Sequence, residues 1–252
     1  MRIASYNLKR HRAVDDLTRL AAANDVDVFC IQEAETSKLP DSVGRLALTA
    51  RTATGDMGLA VYADPERFHV LDSRVFTVRK ALHDRFLLPG IERLLAVRLE
   101  DRDSGIVSTI ASFHASPLSA VNATRRRQID EAHRHLREFS LGSPTLMVGD
   151  FNYPLFRKGL VKRVERDGFS LTISDGPTYY YTPRIAYHFD FLTSSRMHVR
   201  SVKTLPIGLS DHRPILVEAT PVGPDPHPPS DLPGAVAVDD AAQEADGVKP
   251  NE

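Results

Sequence analysis

The chain has 252 residues, 42% hydrophobic, with a formal net charge of −1, which suits one large α/β domain with a sizeable core. A single cysteine, Cys30, excludes an intrachain disulfide framework. No apolar stretch is long enough to span a membrane, and no apolar signal region opens the sequence, so a cytoplasmic protein without membrane contact is expected.

Taken in order, Arg2–Tyr6 alternates as a strand, and residues 13–24 carry Val14, Leu17, Leu20 and Ala21 at helical spacing. Asp27–Gln32 is a short apolar run expected as a buried strand, with Cys30 inside it as an inert thiol. The middle changes character. Gly58–Tyr62, Phe68–Val78, Arg93–Glu100 and Ile106–Phe113 are strand-like runs without intervening helices, which predicts antiparallel meanders. Ser119–Phe139 is the strongest helix. Pro144–Gly149 is a strand, and Leu155–Glu165 a further helix. Tyr187–Thr193, Met197–Leu205 and Pro214–Ala219 close the body as strands. This mixed order points to a layered α/β protein, not a strictly alternating one. After Ala219 the composition shifts. From Pro221 onward there are seven acids, one base and seven of the 17 prolines. A body over 1–220 and a disordered acidic tail over 221–252 are expected. The body then holds 31 bases against 26 acids, a balance that suits an anionic partner.

Polar residues gather where apolar strands end. Asn7 follows the first strand, and Glu33 follows Phe29–Ile31. His114 follows Ser108–Phe113, and Asp150 and Asn152 follow Leu146–Val148. Asp190 lies between Phe189 and Phe191, where an acid in an apolar strand needs a partner. Asp211 and His212 precede the last strand. Alone, each has an ordinary explanation as surface, turn or cap. Together they form an oxygen-rich set at strand ends, able to hold a hard cation and a phosphate.

Five blocks carry a family resemblance: Tyr-Asn at 6–7, Ile-Gln-Glu at 31–33, Gly-Asp-Phe-Asn at 149–152, Phe-Asp-Phe-Leu at 189–192 and Ser-Asp-His-Arg-Pro at 210–214. They resemble the signature blocks of the endonuclease/exonuclease/phosphatase superfamily, over essentially the whole body. The resemblance implies a four-layer α/β sandwich, two mixed sheets packed face to face with outer helices. It also implies a hydrolase of phosphoester bonds that uses Mg²⁺ or Mn²⁺ and in-line attack by water. By the same resemblance Glu33 is the principal metal carboxylate, supported by Asn7 and Asp211. Asp150 orients the attacking water, and Asn152 donates to a phosphate oxygen. His212 contacts the phosphate or acts as general base, oriented by Asp190, and His114 donates to the phosphate or leaving oxygen. A carboxylate partner for His114 is sought in Glu92 or Glu66. Abasic-site endonucleases carry a tyrosine where this chain has Phe113-His114-Ala115, and a tryptophan where it has Tyr6, which argues against that branch.

The expected substrate is nucleic acid, with an inositol phosphate or phospholipid head group as the alternative and a non-catalytic binding module as the least favoured reading. A monomer is expected. Lys9, Arg10, His11 and Arg12 are expected at the cleft rim, and Arg125, Arg126 and Arg127 either there or on a solvated helix face. His133 and His135, two apart on a helix, do not face one another and are not expected to bind metal. Tyr179, Tyr180 and Tyr181 are expected under a loop or stacked on bases.

Overall fold

The computed structural model describes residues 1–53, 57–78, 92–153, 157–182 and 184–223. The first sheet has seven strands. They are β1 (Arg2–Asn7), β2 (Val28–Ala34), β3 (Ser42–Val43), β4 (Leu46–Arg51), β5 (Gly58–Ala63), β14 (Met197–Thr204) and β15 (Ile215–Pro221), in the order β14-β15-β1-β2-β5-β4-β3. The second holds β6 (Phe68–Phe76), β7 (Leu94–Asp101), β8 (Val107–His114), β9 (Thr145–Asp150), β10 (Ser170–Ile173) and β13 (Asp190–Ser195), in the order β10-β13-β9-β8-β7-β6. A small ribbon, β11 (Tyr179–Thr182) with β12 (Ile185–Tyr187), belongs to neither.

Each large sheet contains one parallel pair, β1 with β2 and β8 with β9. Helices α1 (Asp16–Ala23) and α2 (Asn122–Ser140) make the two crossovers, as parallel pairing requires. Alternation along each strand sorts side chains between two layers. Ile3, Val28, Cys30, Val97, Ile110, Val148 and Val217 fill the space between the sheets. Ala4, Phe29, Ile31 and Tyr62 turn outward onto Leu17 and Leu20 of α1. Ala111, Phe113 and Met147 turn onto Ile129 and Leu136 of α2 and Leu160 and Val164 of α3 (Arg157–Arg166). The expected four-layer sandwich is thus observed, and its strands read as continuous apolar runs because both faces are covered. Among the described residues, no helix is long and apolar enough to cross a membrane.

Three expectations need adjustment. The run 58–113 is not one meander: β5 pairs with β2 and β4 in the first sheet, while β6, β7 and β8 form the meander of the second. Tyr187–Thr193 is two strands, broken at His188–Phe189, where Thr178 Oγ1 accepts the N–H groups of both Phe189 and Asp190 at 3.1 Å. The last strand runs to Pro221, just past the expected end of the body. The expected acidic tail lies outside the described residues from 224 onward.

Candidate active site

The C-terminal ends of the two parallel pairs meet at one edge of the sandwich. In the second sheet, His114, Asp150 and Asp190 stand in register across β8, β9 and β13. That row depends on Gly149. It has φ +152°, and a Cβ there would lie 2.0 Å from the carbonyl oxygen of Phe113. In the first sheet, a bulge between Ile31 and Ala34 interrupts pairing with β5. Glu33 sits in it with φ +52°, and the bulge re-aims its carboxylate toward the second sheet. Gln32 ties the layers together: its Nε2 donates to Ser112 Oγ at 2.9 Å, and Ser112 Oγ donates to the Ile31 carbonyl at 2.9 Å.

Asp150 is the centre of the cluster and is 1% exposed. Its Oδ1 accepts the Asn152 amide N–H at 2.8 Å. Its Oδ2 accepts from Asn152 Nδ2 at 3.0 Å and from Asn7 Nδ2 at 3.1 Å. Asn7 Nδ2 also lies 3.1 Å from Glu33 Oε1, while Asn7 Oδ1 accepts the Lys9 N–H at 2.9 Å. The amide therefore presents N–H groups to the two carboxylates, and its oxygen is turned away. On one side of Asp150, His114 Nε2 is 3.7 Å from both Asp150 Oδ2 and Glu33 Oε1. On the other, His212 Nε2 is 3.9 Å from Asp150 Oδ2, and its Nδ1 meets Asp190 Oδ2 at 2.8 Å.

The two histidines are driven in opposite directions. Burial, reinforced by Arg93 and by His212, lowers His114 to about 3, so its ring is neutral. Burial would also lower His212, but the charges of Asp190 and Asp150 and the hydrogen bond that Nδ1–H donates to Asp190 outweigh it, so its pKa is raised and the ring is an imidazolium. Burial pushes the Asp150 carboxyl up. His212 and the Asn152 amide oppose that push, and the charges of Asp190 and Glu33 add to it. Like charges opposite one another across a sheet repel; here the His212 imidazolium sits against both Asp150 and Asp190.

Among the described residues, two groups of donors could hold a cation: Glu33, His114 and Asp150, and Asp150, Asp190 and His212. In the second, the short His212–Asp190 bond occupies the imidazole. The first offers carboxylate oxygens from two strands, and His114 Nδ1 there is buried without a partner among the described residues. Oxygen donors without thiolates fit a hard divalent ion. Asp211 stands apart from both groups, with Oδ2 3.5 Å from Lys9 Nζ.

The loops around the cluster are tightly held. Lys9, Arg10 and His11 all have positive φ, at 49°, 54° and 69°. Such a left-handed run of non-glycine residues costs roughly 1 kcal/mol or more each. Glu33 helps to hold it: its Oε2 accepts the Arg10 N–H at 3.1 Å and its carbonyl accepts the His11 N–H at 2.7 Å. Arg10 and Arg12 are exposed. Arg125 is not a rim cation. It is buried, and its guanidinium donates to the Pro117 carbonyl at 2.6 Å and to Asn122 Oδ1 at 2.6 Å, fixing the loop that follows His114. Arg126 donates to the Tyr153 hydroxyl, while Arg127 lies on the exposed helix face. Glu92 accepts from the Ala53 N–H, and the carboxylates beside His114 are Glu33 and Asp150, not Glu92 or Glu66.

Two contributors escaped the sequence reading. Asp16 Oδ2 accepts the Tyr6 hydroxyl at 3.0 Å and the Leu209 N–H at 2.7 Å, and Ser210 N–H donates to Tyr6 Oη. Ser210 Oγ then donates to the Asn7 carbonyl and accepts the His212 N–H, so α1 and β1 together fix the loop that carries Asp211 and His212. An acid four residues before Leu20 shares its buried helix face, and that spacing was the available signal. Thr178, the other contributor, orients the start of β13 and had no signal in its surroundings.

No curated protein sequence matches the chain. Solved structures do, at low identity. A functionally unknown conserved protein from Enterococcus faecalis superposes with TM-score 0.69 and 17% identity, over 88% of this chain and all of the other. A mannosyl-6-phosphatase from Bacteroides thetaiotaomicron gives 0.67 and 17%, over 87% and 99%. TDP2 from D. rerio, solved with a single-strand DNA product, gives 0.68 and 14%, over 87% and 98%. At these identities the likeness concerns the fold. The profile of the Endonuclease/Exonuclease/phosphatase family matches residues 4–212, through every strand end described above, and the chain belongs to that family.

Proposed function

We propose that the protein is a Mg²⁺-dependent phosphodiesterase that hydrolyses nucleic acid by in-line attack of water. The observation that supports this most is the position of Asp150, buried between a carboxylate–imidazole pair on one side (Glu33, His114) and a charged imidazole oriented by Asp190 on the other. Glu33 supplies the principal metal oxygen; Asn7 supports that side by holding the Glu33 carboxylate through Nδ2, and Asp211 joins it only on release from Lys9 Nζ. A bound divalent ion there neutralises phosphate charge and stabilises the leaving oxygen. Asp150, with its raised pKa, orients the attacking water and takes its proton. Asn152 holds that carboxylate through two hydrogen bonds, and in this reading its Nδ2 turns from the Ala115 carbonyl to donate to a phosphate oxygen when substrate binds. His212 presents Nε2 to the phosphate as a preformed positive charge, while Asp190 fixes the ring through Nδ1. His114 is neutral and donates a hydrogen bond to the phosphate or leaving oxygen. Exposed Arg10 in the left-handed turn and exposed Arg12 just after it favour a polyanionic substrate.

Hydrolysis of bis-p-nitrophenyl phosphate with Mg²⁺, with Mn²⁺ and in excess EDTA tests the chemistry. Turnover should vanish in EDTA and return with either ion. Parallel assays on plasmid DNA, 3′-blocked oligonucleotides and inositol phosphates test the substrate. Unchanged turnover in EDTA would reject the metal site, and faster cleavage of inositol phosphates than of any nucleic acid would reject the substrate assignment.

A further inference from the structure

The β11–β12 ribbon stands outside both sheets but is fastened to the cluster. Tyr179 forms a backbone bridge with His212, and Arg213 N–H donates to the Thr178 carbonyl at 2.7 Å. A series of rings runs along it. Tyr187 lies 5.2 Å from Phe189, Phe189 lies 5.0 Å from Tyr179, and Tyr179 lies 5.1 Å from the His212 imidazole. These rings account for how the ribbon packs. They leave Tyr180, Tyr181 and Ile185 outside, at 40%, 67% and 43% exposed. The Arg213 guanidinium sits over the Tyr180 ring at 5.0 Å.

A two-stranded ribbon is marginal by itself. One that keeps tyrosines in solvent beside a catalytic cleft is expected to meet a ligand there. The chemistry of the patch narrows the ligand. It offers flat π faces and a planar cation, which suits planar heterocycles. Every nucleobase has a π face, and stacking on tyrosine tolerates any sequence.

We infer that Tyr180 and Tyr181, with Arg213, form a stacking ledge for unpaired nucleobases flanking the phosphate at His212, so that the substrate is single-stranded nucleic acid or a frayed duplex end. The inference rests on the phosphodiesterase reading above and adds the strandedness of the substrate. Bases within a duplex already stack on their neighbours and cannot use the ledge.

The test compares wild type with the double variants Tyr180→Ala/Tyr181→Ala and Tyr180→Phe/Tyr181→Phe. Each is assayed with Mg²⁺ on oligo(dT), oligo(U) and a blunt DNA duplex, and each is checked by thermal melting. Wild type should prefer single strands. The alanine pair should raise KM for single strands about tenfold or more and erase that preference, and the phenylalanine pair should restore both. Oligo(dT) against oligo(U) shows which sugar backbone the ledge serves. If the folded alanine pair keeps the wild-type preference, or loses single strands and duplex equally, the ledge is wrong while the enzyme reading stands. Wild type that cleaves bis-p-nitrophenyl phosphate but no oligonucleotide also overturns the ledge. If wild type shows no metal-dependent cleavage of bis-p-nitrophenyl phosphate, the parent reading has failed instead.

Discussion

The molecule uses one device twice, with different results. In β1–α1–β2 and again in β8–α2–β9, a helix crosses over between two parallel strands, and polar residues stand at their C-terminal ends. The first unit delivers Asn7 and Glu33 next to a strained turn of exposed cations, and the Glu33 side chain keeps 19% of its surface. The second delivers His114 and Asp150 into a dry interior, at 3% and 1% exposed. Equivalent topology therefore gives a wet half at Glu33, although Asn7 beside it is itself buried, and a dry half, where burial sets the protonation states. His114 is neutral because the second unit excludes water from it.

The sharpest way to break this division is to remove one group from each half. Glu33→Ala should leave an enzyme that needs far more Mg²⁺ to reach its maximal rate. His212→Ala and Asp150→Asn should lower turnover by about 10²-fold to 10⁴-fold at any Mg²⁺ concentration. Asp190→Asn should follow His212→Ala, since it removes the charge that holds the imidazolium. Rates measured against metal concentration for the folded variants decide the point. If all four shift metal demand alike, the wet and dry halves do not divide the labour.

A smaller effect tests the packing of the dry half. Gly149→Ala places a Cβ against the Phe113 backbone at a positive φ. It should cost about 3 kcal/mol or more, roughly 10 °C in Tm for a domain of this size. Gly142 also has positive φ, at +81°, but a Cβ there meets nothing within 4 Å. Its alanine variant should lose only about 1 kcal/mol. Equal losses would mean that the close approach of β8 and β9 is not what Gly149 provides.

The last effect is confined to acidic pH and concerns His133, on α2 and away from the cluster. It stacks on Phe169 at 4.2 Å, and its Nε2 lies 2.9 Å from Thr193 Oγ1. Burial lowers it to about 4 against an ordinary 6.5, although Asp167 opposes the shift. Between those values the unfolded chain binds the proton and the folded one does not. Stability should therefore be intact above 6.5 and fall as pH drops toward 4. His133→Gln should flatten that part of the profile. Urea midpoints across pH 4 to 7 measure it, and an unchanged slope in the variant would place the acid sensitivity elsewhere.

The blocks at 6–7, 31–33, 149–152, 189–192 and 210–214 were readable because each is a polar residue in or directly after an apolar strand, a pattern local to the chain. The three described α-helices and most central strands were readable for the same reason: their apolar positions repeat within a few residues. The sequence by itself determined the family, through it the layer architecture, and all of the gathered residues except that Asp211 stands apart. Only the tertiary structure decided which sheet β5 joins, because the pairing of β5 with β2 and β4 is chosen by contacts distant in the chain. It also decided that Arg125 is a buried strut and not a rim cation, and that Asp16 holds the His212 loop. An arginine's or an acid's role depends on what surrounds its head group, and no spacing encodes that. The opposite charge states of His114 and His212 belong to the same class. Both are histidines beside Asp150, and what separates them is Asp190, delivered by a strand forty residues further along the chain from Asp150 and set opposite it by the register of β9 and β13.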